Sequence, residues 1–382
     1  IDTTHTDFGD NLWVNRVEIP GDGIDNDTNG FVDDYYGWNF YANNGDIQDG
    51  FFGGWHGTPV AGIVGAQGND SIGVTGVNWN VKIMVIVGGG AEADALAAYG
   101  YVLNQRRRYN QSEGTDGAYV VSTNASWGID FGQPSSAPLW CNFYDSLGME
   151  GVLNCGATIN AHEDVDSVGD LPTACPSDYL ISVTNMNQND LKVFQAGYGD
   201  STIDIGAYGE GTYTTALNNG HGGFGGTSGA TPHVSGTLGL MYSMACDELI
   251  ELARSNPDSA SYWFRELLFR SAVPNTSLTG QVSTDGKLNM LTALQEVDYF
   301  CDSLRTIGLN ELGRPGQWQV YPNPATTELS IVPLGTQKTT RYRLINALGQ
   351  IALDGRLEEG ERTVDVRAID AGWYVLELQA AT

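Results

Sequence analysis

The stretch Gly226-Thr227-Ser228-Gly229-Ala230-Thr231-Pro232-His233-Val234-Ser235-Gly236-Thr237-Leu238-Gly239-Leu240-Met241 decides how the rest of this chain is read. Small and apolar residues follow the serine without a break, which predicts a buried helix with Ser228 in its opening turn. Glycine before the serine lets another backbone come close. The first helical amides place positive potential where negative charge would develop on a carbonyl under attack. An ordinary serine N-cap fits the same residues, so the stretch alone does not assign a nucleophile.

Upstream, His56-Gly57-Thr58-Pro59-Val60-Ala61-Gly62-Ile63-Val64-Gly65-Ala66 predicts a second closely packed helix, started by His56. A lone histidine in such a place is most often structural, and no acidic neighbour here suggests a metal ligand. Between the two lies Val120-Val121-Ser122-Thr123-Asn124-Ala125-Ser126-Trp127-Gly128. Taken together and in this chain order, the three segments resemble the histidine box, substrate-binding edge and serine box of the subtilisin-like serine peptidases, over roughly residues 1 to 300.

The resemblance implies an endopeptidase acting on protein or peptide substrates. His56 would be the general base, Ser228 the nucleophile, and Ser126, Trp127 and Gly128 the edge that pairs with substrate backbone, with Val87 to Gly89 as a second edge. A second oxyanion donor beside the Ser228 amide is implied at Asn160. Asn154 competes for that role but falls inside a predicted strand, and Ile159 stands where the family has glycine. The family's aspartate box reads apolar-Asp-Thr/Ser-Gly, whereas Ile1-Asp2-Thr3-Thr4-His5-Thr6-Asp7-Phe8 aligns with the segment just after it. On that register the third catalytic group lies three positions before Ile1, and the chain is a fragment expected to hydrolyse peptides poorly. Asp2 in a shortened loop is the alternative. The same alignment implies a structural calcium ion held by Asp7, Asp70 and the carbonyls of Gly68, Ile72 and Val74. No organic cofactor is expected.

Composition agrees with this class. The 382 residues suit a large domain and a smaller one, and a formal net charge of -28 argues against nucleic acid or an acidic membrane surface as partner. No apolar run is long enough for a transmembrane segment. Five cysteines without a CxxC pair argue against zinc. Cys155 lies in an apolar stretch as a buried thiol, which leaves Cys141 with Cys175 and Cys246 with Cys301 as bridges in a secreted or cell-surface protein. The acidic loop Asp22 to Asp34 has an Asp-x-Asp-x-Asn-Gly core, yet Tyr36 replaces the twelfth-position glutamate of an EF-hand. It reads equally as a calcium loop or an Asp/Asn-rich turn.

Alternating helix and strand patterns predict a doubly wound, mainly parallel α/β sheet over 1–302. They include a helix from Ala91 to Gln105 and a strand from Ala118 to Ser122, and Arg106 to Arg108 are placed on an exposed helix end. A linker follows over 303–316, then short alternating strands over 317–382 that fit a β-sandwich. Tyr321-Pro322-Asn323-Pro324-Ala325, Asn346-Ala347-Leu348-Gly349-Gln350 and Gly372-Trp373-Tyr374 resemble the C-terminal sorting domain of the type IX secretion pathway, with its last residues missing. That resemblance makes the type IX machinery a partner. A monomer is expected. The rival to a peptidase is a noncatalytic surface or adhesion protein on the same scaffold.

Overall fold

The computed structural model describes residues 1–48, 54–88, 91–306, 318–321, 325–333, 340–346, 350–357, 362–369, 372 and 374–380. The chain divides into two compact units, Ile1–Ile307 and Gly308–Thr382.

In the first unit, β1 (Gly37–Asn39) pairs in parallel with β2 (Val85–Val87), and α1 (Gly57–Gly65) lies between them in sequence. Then come α2 (Glu92–Gln111), β3 (Ser122–Ala125), the short β4 (Ile129–Asp130), α3 (Pro138–Met149), β5 (Leu153–Ala157), the single turn α4 (Val165–Val168), β6 (Asp170–Leu171), β7 (Leu180–Met186) and β8 (Ile205–Tyr208). A hairpin of β9 (Thr212–Ala216) and β10 (Gly220–Phe224) leads into α5 (Thr227–Met244), followed by α6 (Asp247–Ser255), α7 (Pro257–Arg270), β11 (Val273–Pro274), β12 (Gly286–Lys287) and α8 (Met290–Thr306).

The sheet order is β11-β12-β8-β7-β5-β3, and the pairings from β3 through β12 are parallel. Every residue of β5 and β7 is buried, as expected of parallel strands covered on both faces. Of their polar side chains, Ser182 Oγ donates to the Thr173 carbonyl and Thr184 Oγ1 to that of Gly197, while the buried Asn185 Oδ1 has no partner. Helix α5 crosses β3, β5, β7 and β8, while α2 and α3 pack a separate core around Trp140, Tyr144 and Leu147. Disulfides join Cys141 to Cys175 and Cys246 to Cys301, and Cys155 is a free, buried thiol.

Two expectations are corrected. The strand predicted at Ala118 to Ser122 forms at Ser122–Ala125, because the preceding backbone is held by α2: the Ala118 N–H donates to the Gln105 carbonyl. Arg106 is not on an exposed end but fully buried. Its Nε and Nη1 donate to the carbonyls of Glu150 and Val120, and its guanidinium lies 4.0 Å from the Tyr119 ring centre. Helix α2 runs on to Gln111, so Arg106 falls inside it and faces inward.

In the second unit, β13 (Trp318–Tyr321), β14 (Glu328–Pro333), β15 (Thr340–Asn346), β16 (Ile351–Leu357), β17 (Thr363–Asp365) and β18 (Tyr374–Ala380) form two antiparallel sheets, β13-β14-β17 and β16-β15-β18. Leu329, Ile331 and Val364 from one sheet and Leu344 and Leu357 from the other share one core, which makes the unit a sandwich. Pro322 to Pro324, Ala347 to Gly349 and Trp373 of the sorting-domain motifs, and Gly89 of the second edge, lie outside the described residues.

Candidate active site

His56 caps α1, and its half-buried ring meets that of Phe224, at the end of β10, edge-on with centroids 5.3 Å apart. Eight residues past His56, Val64 passes Gly236, which stands eight residues past Ser228. A Cβ on Gly236 would lie 3.1 Å from the Val64 carbonyl oxygen. His56 against Phe224, four residues before Ser228, and Val64 against Gly236 follow one another in the same order along both segments, so α1 and α5 point the same way and begin on the same side of the unit. Burial pushes the His56 pKa below the ordinary imidazole value, favouring the neutral form that accepts a proton.

Ser228 is held by its own helix chemistry. Pro232 has no N–H, so the Ser228 carbonyl four residues earlier lacks its intrahelical donor. The Ser126 hydroxyl donates to that carbonyl instead, at 3.0 Å, and the Ser228 hydroxyl donates to the Ser126 carbonyl at 3.1 Å. This reciprocal pair ties the 126–128 edge to the serine. Just before it, Gly226 has φ +74°, and a side chain there would meet Asn160 Oδ1 at 2.7 Å.

Asn160 Oδ1 accepts the Thr227 N–H at 3.0 Å, which fixes the exposed Asn160 amide beside the first turn of α5. Asn154 sits inside β5, 1% exposed, with Oδ1 accepting from Thr123 and Nδ2 donating to the Val152 and Tyr179 carbonyls. Its amide is used up within the sheet. Ser126, Trp127, Gly128, Asn160 and Ser228 line one cavity, joined there by Asp130 and Asp170, which the sequence reading missed. No local pattern marks those two aspartates; the pairing of β4 with β6 brings them to the cavity.

Asp2 is engaged elsewhere. Its carboxylate accepts from the backbone amide and hydroxyl of Thr4 and from the amides of Asn218 and Asn219. Among the described residues no carboxylate is hydrogen-bonded to His56.

Asp7 is fully buried. Its Oδ2 accepts the Val74 N–H at 2.8 Å and lies 2.8 Å from His221 Nε2, while Oδ1 has no partner in the protein. Such an orphaned carboxylate oxygen against the 68–74 loop fits an oxygen-seeking cation. Within the loop, Asp70 Oδ1 accepts the Ile72 N–H, and Ile72 is exposed. The acidic loop uses its carboxylates on its own amides: Asp33 accepts from Gly21, Asp22 and Gly23, and Asp25 from Asn29 and Gly30. Asp27 and Asp34 converge with Glu18, another residue the sequence reading missed, and all three are buried.

Residues 1–295 match the profile of the Subtilase family. The chain belongs to the subtilase family. Residues 319–382 match the secretion system C-terminal sorting domain, which marks a secreted or cell-surface protein. Subtilisin-like protease 1 of Plasmodium vivax is 28% identical over 315 residues, 77% of this chain and 45% of that protein. Thermitase of Thermoactinomyces vulgaris is 27% identical over 269 residues, covering 68% and 80%. This subtilase chain spans about half the length of its Plasmodium relatives. The fold is shared with the epidermin leader peptide processing serine protease of Staphylococcus aureus, at TM-score 0.53 and 19% identity over 76% of this chain and 72% of that one. A prenylagaramide maturation protease matches at TM-score 0.50 and 23% identity, covering 64% and 82%.

Proposed function

We propose that this subtilase is a serine endopeptidase that cleaves peptide bonds through an acyl-enzyme on Ser228. The observation that carries the reading is the ring contact of His56, whose pKa burial lowers, with Phe224, four residues before the serine in the first turn of α5. In the proposed cycle the Ser228 hydroxyl turns from the Ser126 carbonyl toward His56. It gives its proton to the imidazole as Oγ attacks the substrate carbonyl, and His56 then passes that proton to the leaving amine. Negative charge on the tetrahedral intermediate faces the Ser228 N–H, which has no acceptor within its helix, and the Asn160 Nδ2 amide. Substrate backbone pairs along Ser126, Trp127 and Gly128. With no carboxylate hydrogen-bonded to His56 among the described residues, turnover is expected to be slow.

The reading includes a structural calcium ion at Asp7, Asp70 and the Gly68, Ile72 and Val74 carbonyls, supported by the orphaned Asp7 Oδ1. It also includes export by the type IX machinery through residues 319–382. Labelling with a fluorophosphonate probe tests the chemistry: the probe attaches to Ser228 and not to the Ser228→Ala protein. Correctly folded protein that takes no label supports the noncatalytic surface protein instead. Calcium added after chelation raises Tm, and the rise is lost in Asp7→Asn; an unchanged Tm in the parent protein removes calcium from the reading.

A further inference from the structure

The cavity beside Ser228 contains two carboxylates that the proposed cycle does not use. Asp170 is 1% exposed, and all three hydrogen bonds its carboxylate accepts, from Thr158 Oγ1, Ile159 N and Thr173 Oγ1, fall on Oδ2. Its Oδ1 accepts none. Asp130 and Asp170 are direct cross-strand partners in the β4–β6 ladder, and among the described residues neither makes an ion pair. Like charges set opposite each other destabilise a ladder, and a charge buried without a counter-ion adds to that cost. Burial, with Asp130 adding to it, pushes the Asp170 carboxyl up to about 6, so it is ionised at neutral pH and lacks a cation.

Resting on the peptidase reading, we propose that this cavity receives a lysine or arginine side chain on the acyl side of the scissile bond, with Asp170 and Asp130 as its counter-ions. A side chain of that length carries an aliphatic stem past Trp127 and Ala157 and a cationic head to the carboxylates, leaving no buried charge unpaired. The net charge of -28 draws cationic peptides toward the site from a distance.

The full chain is titrated with p-aminobenzamidine, an aromatic amidinium whose fluorescence rises in an apolar pocket. Binding needs no catalysis, so it separates failure of this proposal from failure of the peptidase reading. Saturable binding is expected, weakened about tenfold or more in Asp170→Asn and less in the exposed Asp130→Asn. In parallel, a peptide series varied only at the residue before the scissile bond is expected to show kcat/KM higher for Lys and Arg than for Phe by about tenfold or more, with that ratio falling in both variants. If the parent protein binds no amidinium at millimolar concentration, or cleaves after Phe while rejecting Lys and Arg, the assignment is wrong. Amidinium binding in protein that neither hydrolyses peptides nor takes a fluorophosphonate would keep the cation pocket and sink the peptidase.

Discussion

At the scale of single residues, the site depends on charges and dipoles held in set states. Burial lowers the His56 pKa, so the imidazole stays neutral to lower pH than a free one. Reaction of Ser228 needs that neutral form. The acid limb of its fluorophosphonate labelling rate is therefore expected below the ordinary imidazole value of about 6.5. A limb above that value would mean that a nearby negative charge dominates over burial. Asn160 makes a sharper case: removing its amide in Asn160→Ala is expected to slow acylation by about a hundred- to a thousandfold, the size this donor has in a related peptidase. Asn154→Ala would instead orphan the Thr123 hydroxyl and lower stability. Equal acylation rates for Asn160→Ala and the parent protein would remove Asn160 from the site.

Among the elements, α5 does two jobs that ordinary helices keep apart. Pro232 breaks one backbone hydrogen bond inside it, and the freed Ser228 carbonyl becomes the anchor for Ser126. Restoring the bond with Pro232→Ala offers that carbonyl an intrahelical donor and releases the 126–128 edge. Expected are an unchanged or higher Tm, from the repaired helix, and an acylation rate several-fold lower. A lower Tm with an unchanged rate would mean that the proline serves packing alone. The short pair β4 and β6 shows the opposite economy. Each has only two residues, and their register carries Asp130 and Asp170 to the cavity.

For the molecule as a whole, the two disulfides close loops of 34 and 55 residues within the first unit. In the chain-entropy picture each stabilises by about 4 kcal/mol. Reduction is expected to lower Tm of the first unit markedly. Native protein should leave Cys155 unmodified by alkylating reagents, because burial pushes that thiol far above its usual pKa. Rapid alkylation of Cys155 without unfolding would contradict the fully buried β5 strand.

Much of this was legible in the amino-acid order. Helices starting at His56 and Thr227, the buried thiol of Cys155, and the alternation behind the parallel sheet all rest on local periodicity or composition, which a sequence displays directly. Arg106 was misread because three arginines in a row look like a solvated helix end; the length of α2 and its contact with Tyr119 turn the first of them inward. The parallel run of α1 along α5, the loan of the Ser228 carbonyl to Ser126, the burial of Glu18 with Asp27 and Asp34, and the meeting of Asp130 with Asp170 were decided only in three dimensions. Each joins residues far apart in the chain or on different elements. Their energies depend on distance and exclusion of water, and neither quantity is written in the residue order.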